Sequence, residues 1–193
     1  MRDISCEEIT RTVRDLCIQA NCHLPVDVQE AIVKAEGSER SPVGKAILGD
    51  LEENFRFADA RELPICQDTG MAVVFVELGQ EVHITGGLLS DAVNAGVAQG
   101  YVEGHLRCSV VGDPLRRVNT NNNTPAIIHL TLVEGDRLSI TVAPKGFGSE
   151  NMTALRMLKP SVGPEAVVDF IVEAVSNAGS NPCPPIVVGV GVG

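Results

Sequence analysis

Cys66 lies in the run Leu63-Pro64-Ile65-Cys66-Gln67-Asp68-Thr69-Gly70, and Cys183 in Asn181-Pro182-Cys183-Pro184-Pro185. Proline fixes its own φ and turns the preceding residue away from helix, so each sulfur is carried by a stiff, helix-averse loop. A thiol that only fills a core needs no such setting. A thiol that must reach a metal cluster does. Gln67 and Asp68 follow Cys66 directly, and an amide and a carboxylate there can orient a hydroxyl or water and handle a proton. The plainer reading of Asp68 is a cap for the turn before Gly70.

The other four cysteines, Cys6, Cys17, Cys22 and Cys108, read as inert packing thiols. The chain has no CxxC pair, which speaks against a zinc ribbon or a ferredoxin-type cluster. A zinc site on Cys66 and Cys183 fails because no neighbouring His or Cys completes it. His23, His83, His105 and His129 have no ligand spacing, and His129 reads as structural.

The elements that must position these residues follow from composition and periodicity. Of 193 residues, 44% are hydrophobic with only 3% aromatic, so the core is built from aliphatic side chains. The net charge of −10 excludes a basic nucleic-acid footprint. It also means that any anion site is local. No apolar run approaches the roughly 20 residues that span a bilayer, and Met1 to Ser5 is no secretory signal. Sparse cysteines predict a reducing, cytoplasmic setting.

Residues 1–62 read as a helical arm. Ser5 and Glu8 have capping-box spacing, and Ser41-Pro42 opens a helix that runs on through Phe55. Residues 63–193 read as a mixed β-sheet flanked by helices. Strands are expected at 71–76, 83–85, 127–133 and 137–143, the last two joined as a hairpin. Helices are expected at 88–103, about 150–158 and from Gly163 to Ala178. Residues 186–193 read as a buried strand entering a glycine-rich turn, which predicts that the polypeptide continues. The expected fold is therefore one mixed α/β unit with a helical N-terminal arm.

Several segments resemble one family. Pro64-Ile65-Cys66-Gln67-Asp68-Thr69-Gly70 is similar to the PxCQDTG signature of the class I, iron–sulfur fumarate hydratases and their relatives the L-tartrate dehydratases. Asn119-Thr120…Asn123-Thr124-Pro125-Ala126 resembles their NTxDNTPA segment, with Asn121-Asn122 in place of Gly-Asp. Ala143-Pro144-Lys145-Gly146-Phe147-Gly148-Ser149-Glu150-Asn151 resembles their APKGGGSEN loop, with Phe147 in place of a glycine. Residues 181–185 match their CPP segment. The matches run in order from about residue 41 to the end.

The resemblance implies the α-subunit or N-terminal catalytic domain of a hydro-lyase. It implies a [4Fe–4S] cluster held by three cysteines, with Cys66 and Cys183 as two of them and the third downstream of this chain. It places Gln67 and Asp68 as catalytic residues. Arg107 would hold a substrate carboxylate, and Lys145, Gly146, Gly148, Ser149 and Asn151 would bind the other. The implied reaction is hydration of fumarate to L-malate, with a β-type subunit or C-terminal domain supplying the remaining base, in an oligomer. Tartrate dehydration is the alternative within the class. A cluster-free scaffold subunit is the alternative outside it.

Overall fold

Ser5 is both the last residue of a strand and the cap of a helix. The computed structural model describes residues 1–183 and 185–193 and opens with β1 (Arg2–Ser5) and α1 (Cys6–Cys22). Ser5 Oγ accepts from the Glu8 amide at 3.1 Å, satisfying a donor that the first helical turn leaves open. Two more helices follow, α2 (Val26–Ser38) and α3 (Pro42–Arg61). Ser41 caps α3 through the Gly44 amide, and Pro42 sits where its missing N–H costs nothing. Next come β2 (Met71–Gly79), β3 (Val82–Thr85), α4 (Leu89–Glu103), β4 (Ile127–Val133) and β5 (Leu138–Lys145). The four-residue α5 (Phe147–Glu150) and α6 (Pro164–Ala178) complete the order. This is the mixed α/β class that the periodicities predict.

The chain divides into two compact units, Met1–Lys145 and Gly146–Gly193. In the first, β2 alternates: Ala72, Val74 and Val76 are buried on one face while Phe75 and Glu77 point the other way. The buried face packs on Ile9, Val13 and Cys17 of α1 and on Val93, Val97 and Tyr101 of α4. The N-terminal helical stretch is thus divided. α1 belongs to the main core, whereas α2 and α3 enclose a small cluster of their own around Ile32, Leu48 and Phe55.

The expected hairpin at 127–143 does not form. The sheet order is β4-β2-β5, with β2 parallel to β4 and antiparallel to β5. The connection at 134–137 instead folds over the end of β2, where Gly79 N–H donates to Arg137 O, Gln80 N–H to Val133 O and Glu81 N–H to Gly135 O. A Cβ on Gly79 would stand 2.3 Å from Gly135 O, so only glycine lets the crossing come this close. A second, two-stranded sheet pairs β1 with β3 in parallel.

Two other expectations are corrected in the second unit. The helix expected over 150–158 ends at Glu150, and 152–158 lack helix. Arg156 in that stretch makes a paired contact to Glu173 of α6 at 2.9 and 3.1 Å and lies 4.3 Å from the Phe170 ring centroid. Residues 186–193 form no strand and are exposed. A run of Val and Gly becomes a strand only where a neighbour takes up its backbone groups. Among the described residues, no helix is long and apolar enough to cross a membrane.

Candidate functional site

The loop between α3 and β2 carries Cys66, Gln67 and Asp68. It leaves α3 through Glu62 in the left-handed conformation and is tied at Ile65, whose N–H donates to Asn21 O and whose carbonyl accepts from Asn54 Nδ2. Cys66 and Gln67 are exposed, and Asp68 is half-buried. The Asp68 amide donates to Cys66 Sγ at 3.4 Å, and Asp68 Oδ1 accepts from Gly70 N–H at 3.2 Å. The turn role of Asp68 is therefore realised, through Gly70 at φ +65°, a value that suits glycine. These bonds hold the loop so that the sulfur stands outward with an N–H donor beside it.

Thr69 turns inward from the loop. Its side chain is buried, and its hydroxyl accepts from Arg107 N–H at 2.9 Å and lies 3.3 Å from Arg107 O. Its carbonyl accepts from the Tyr101 hydroxyl at 2.9 Å. Burial pushes the Tyr101 phenol above its ordinary range, so the group stays an O–H donor. The Arg107 side chain is exposed. Through Thr69, the backbone that carries Arg107 is bonded to the backbone that carries Cys66, Gln67 and Asp68.

Lys145 reaches the same corner by another route. It ends β5 and pairs with Met71, the residue after Gly70. Strand register therefore places Lys145 beside the start of β2. The backbones that carry Cys66, Gln67, Asp68, Arg107 and Lys145 are thus linked at that end of the first unit.

The remaining candidates lie in the second unit. Gly146 precedes the short α5, and Ser149 Oγ donates to Gly146 O at 3.3 Å. A Cβ on Gly148 would stand 3.5 Å from Asn181 O, so the glycine loop and the Cys183 loop are neighbours within this unit. Cys183, Gly148, Ser149 and Asn151 are exposed. Each unit thus carries one of the two loop cysteines together with part of the expected binding set. Among the described residues, no three His, Cys, Asp or Glu side chains gather closely enough to hold a metal ion.

The remaining thiols behave as packing residues. Cys17 is fully buried and its pKa is pushed up to about 12 by burial, while Cys22 and Cys108 are raised in the same way. What the sequence reading missed is the support beneath the site: Thr69, Tyr101 and Asn123. The one tyrosine of the chain, on the apolar face of a helix, was a signal that could have found part of it.

Comparison with known proteins identifies the family. Residues 10–193 match the family Fumarate hydratase (Fumerase). The chain is 38% identical over 192 residues to the protein assigned as L(+)-tartrate dehydratase subunit alpha in Methanocaldococcus jannaschii, covering 96% of this chain and 67% of that one. It is 32% identical over 189 residues to the L(+)-tartrate dehydratase subunit alpha of Escherichia coli, covering 96% of this chain and 62% of that one. The chain therefore belongs to the fumarate hydratase family of hydro-lyases. It spans about two thirds of the length of these relatives.

Proposed function

We propose that this chain is the α-type part of an enzyme that adds water reversibly across the double bond of fumarate to give L-malate. The observation that carries the reading is the backbone linkage, through Thr69 and the Met71–Lys145 register, of the Cys66–Asp68 loop to the segments of Arg107 and Lys145 at one end of β2. Fumarate is a dianion and the chain carries a net charge of −10, so capture falls to local cations. Arg107 would take one carboxylate through its two-pronged guanidinium. Lys145 and the Gly146, Gly148, Ser149 and Asn151 segment would take the other. Gln67 would orient the hydroxyl that is added or lost, and Asp68 would exchange its proton. The hydroxyl joins one alkene carbon and a proton joins the other, and the base serving that second carbon belongs to a β-type subunit or C-terminal domain.

Cys66 and Cys183 would hold a [4Fe–4S] cluster, with a third ligand from elsewhere in the assembled enzyme. The support in this chain is chemical: both sulfurs are exposed, and Cys66 Sγ already accepts a backbone N–H. When bound, such a cluster supplies an open, Lewis-acidic iron that polarises a hydroxyl. A cytoplasmic oligomer with a partner subunit fits this reading, since the relatives carry the name subunit alpha.

Dehydration of L-tartrate is the second reading, and the names of those relatives favour it. The test uses the full-length polypeptide with its partner subunit, supplied anaerobically with iron and sulfide and offered each substrate in turn. Turnover of fumarate in preference to tartrate is expected, and Arg107→Lys should raise KM about tenfold, since one ammonium cannot replace a bidentate pair. Preference for tartrate would replace the first reading by the second. A stable preparation that binds no iron, turns over neither substrate and still binds its partner would leave only a scaffold subunit.

A further inference from the structure

Asn123 is completely buried and stands in the left-handed backbone region at φ +58°. Asparagine tolerates that conformation far better than most side chains. Its amide uses both ends. Nδ2 donates to Gly70 O at 2.9 Å, 53 residues away in sequence. Oδ1 accepts from Ser109 N–H at 2.7 Å and from Val110 N–H at 3.1 Å. Two segments are thereby tied to one carboxamide: the end of the Cys66–Gly70 loop and the stretch just after Arg107. Thr69 bonds the same two segments, one residue before Gly70 on the loop and two before Ser109 on the other, and Tyr101 holds Thr69 from below. Three side chains, each at most 4% exposed, therefore bind the loop bearing Cys66, Gln67 and Asp68 to the segment bearing Arg107.

We propose that Asn123 is a positioning residue, whose buried carboxamide sets the distance between the Cys66–Asp68 loop and the backbone that carries Arg107. It touches no substrate atom. The inference rests on the hydro-lyase reading for the meaning of that distance, and on the hydrogen bonds alone for its existence. No other side chain does the same work. Aspartate has no donor for Gly70 O, and alanine leaves the Gly70 carbonyl and the Ser109 and Val110 amides without their partner. Glutamine adds a methylene where there is no space for one.

Two variants test this in the full chain with its partner. Asn123→Ser shortens the amide link, and Tyr101→Phe removes one hydroxyl while keeping the ring in the core. In both, amide hydrogen exchange should quicken in residues 66–70 and 105–111 while Val26–Arg61 stays as in the wild type. KM for the dicarboxylate should rise about fivefold or more, and kcat/KM should fall on the order of tenfold to a hundredfold, as expected when a substrate clamp shifts by up to an ångström. A merely structural role lowers the amount of folded enzyme and leaves KM alone. Unchanged exchange in both segments, or loss of rate at constant KM, would overturn the proposal. Should Asn123→Ser not fold, Asn123→Asp, which keeps the acceptor for Ser109 and Val110 but has no donor for Gly70 O, carries the same measurements. Should the wild type turn over neither substrate, the hydro-lyase reading fails, while the exchange pattern still decides whether the two segments are coupled through Asn123.

Discussion

Gly96→Ala tests whether α1 and α4 are held at a separation that only glycine permits. A Cβ on Gly96 would stand 2.6 Å from Thr10 O and 2.7 Å from Val13 Cβ. Neither neighbour can rotate away, since one is backbone and the other is the first atom of its side chain. Restoring ordinary contact near 3.5 Å needs the helices to part by roughly 0.5–1 Å. Tyr101 rides on the same helix, with its hydroxyl 2.9 Å from Thr69 O. That displacement stretches the bond to about 3.5 Å, where it no longer counts. Overpacking costs about 1–3 kcal/mol. The lost bond adds about 1 kcal/mol. Removing a helical glycine returns about 1 kcal/mol. The net expectation is a loss of about 1–3 kcal/mol.

Gly49, inside α3, supplies the matched control. A Cβ there would meet only Glu36 Oε1, at an ordinary 3.6 Å. The helical gain then acts alone, and Gly49→Ala should stabilise by about 0.5–1 kcal/mol. Urea unfolding followed by circular dichroism reads both variants, with midpoints moving in opposite directions by about 0.3–1 M. If Gly96→Ala proves as stable as the wild type, or if both variants move the same way, close helix approach is not what places Tyr101 under the loop.

Ser5→Ala removes the acceptor for the Glu8 amide and should cost about 1 kcal/mol in the same unfolding experiment. Cys17 gives a pH signature. Its thiol is raised from 9.0 to about 12 by burial, so the folded state holds the proton more tightly than the unfolded chain. The stability it contributes is full below pH 9 and declines as pH rises toward 12. Cys17→Ala cannot titrate, so its midpoint should fall less than that of the wild type between pH 8 and pH 10; equal declines would remove Cys17 as the cause.

Local chemistry was legible wherever a short stretch dictates its own conformation. The Ser5 and Ser41 caps, the strand at Met71 and the helix from Leu89 all follow from neighbouring residues. The 127–143 hairpin failed because turn residues permit a hairpin without requiring one. Whether β2 inserts between β4 and β5 depends on which strand fills the middle of the sheet, and no window of sequence carries that. The 186–193 run failed likewise, since β-propensity without a partner strand makes no strand.

The sequence by itself picked out the parts of the proposed site: two thiols in proline-flanked loops, an amide and a carboxylate after the first, and cations at Arg107 and Lys145. Motif order also settled the family, because chemistry confined to a few adjacent residues survives in the linear chain. Only the tertiary structure decided how the parts within the first unit are brought together. Lys145 arrives through strand register with Met71, and Arg107 through the hydroxyl of Thr69. The loop and the arginine-bearing segment are locked by Tyr101 and Asn123, buried polar groups whose partners lie up to 53 residues away. Satisfying a buried donor or acceptor is a requirement of three-dimensional packing, and which groups meet it is written in no local pattern.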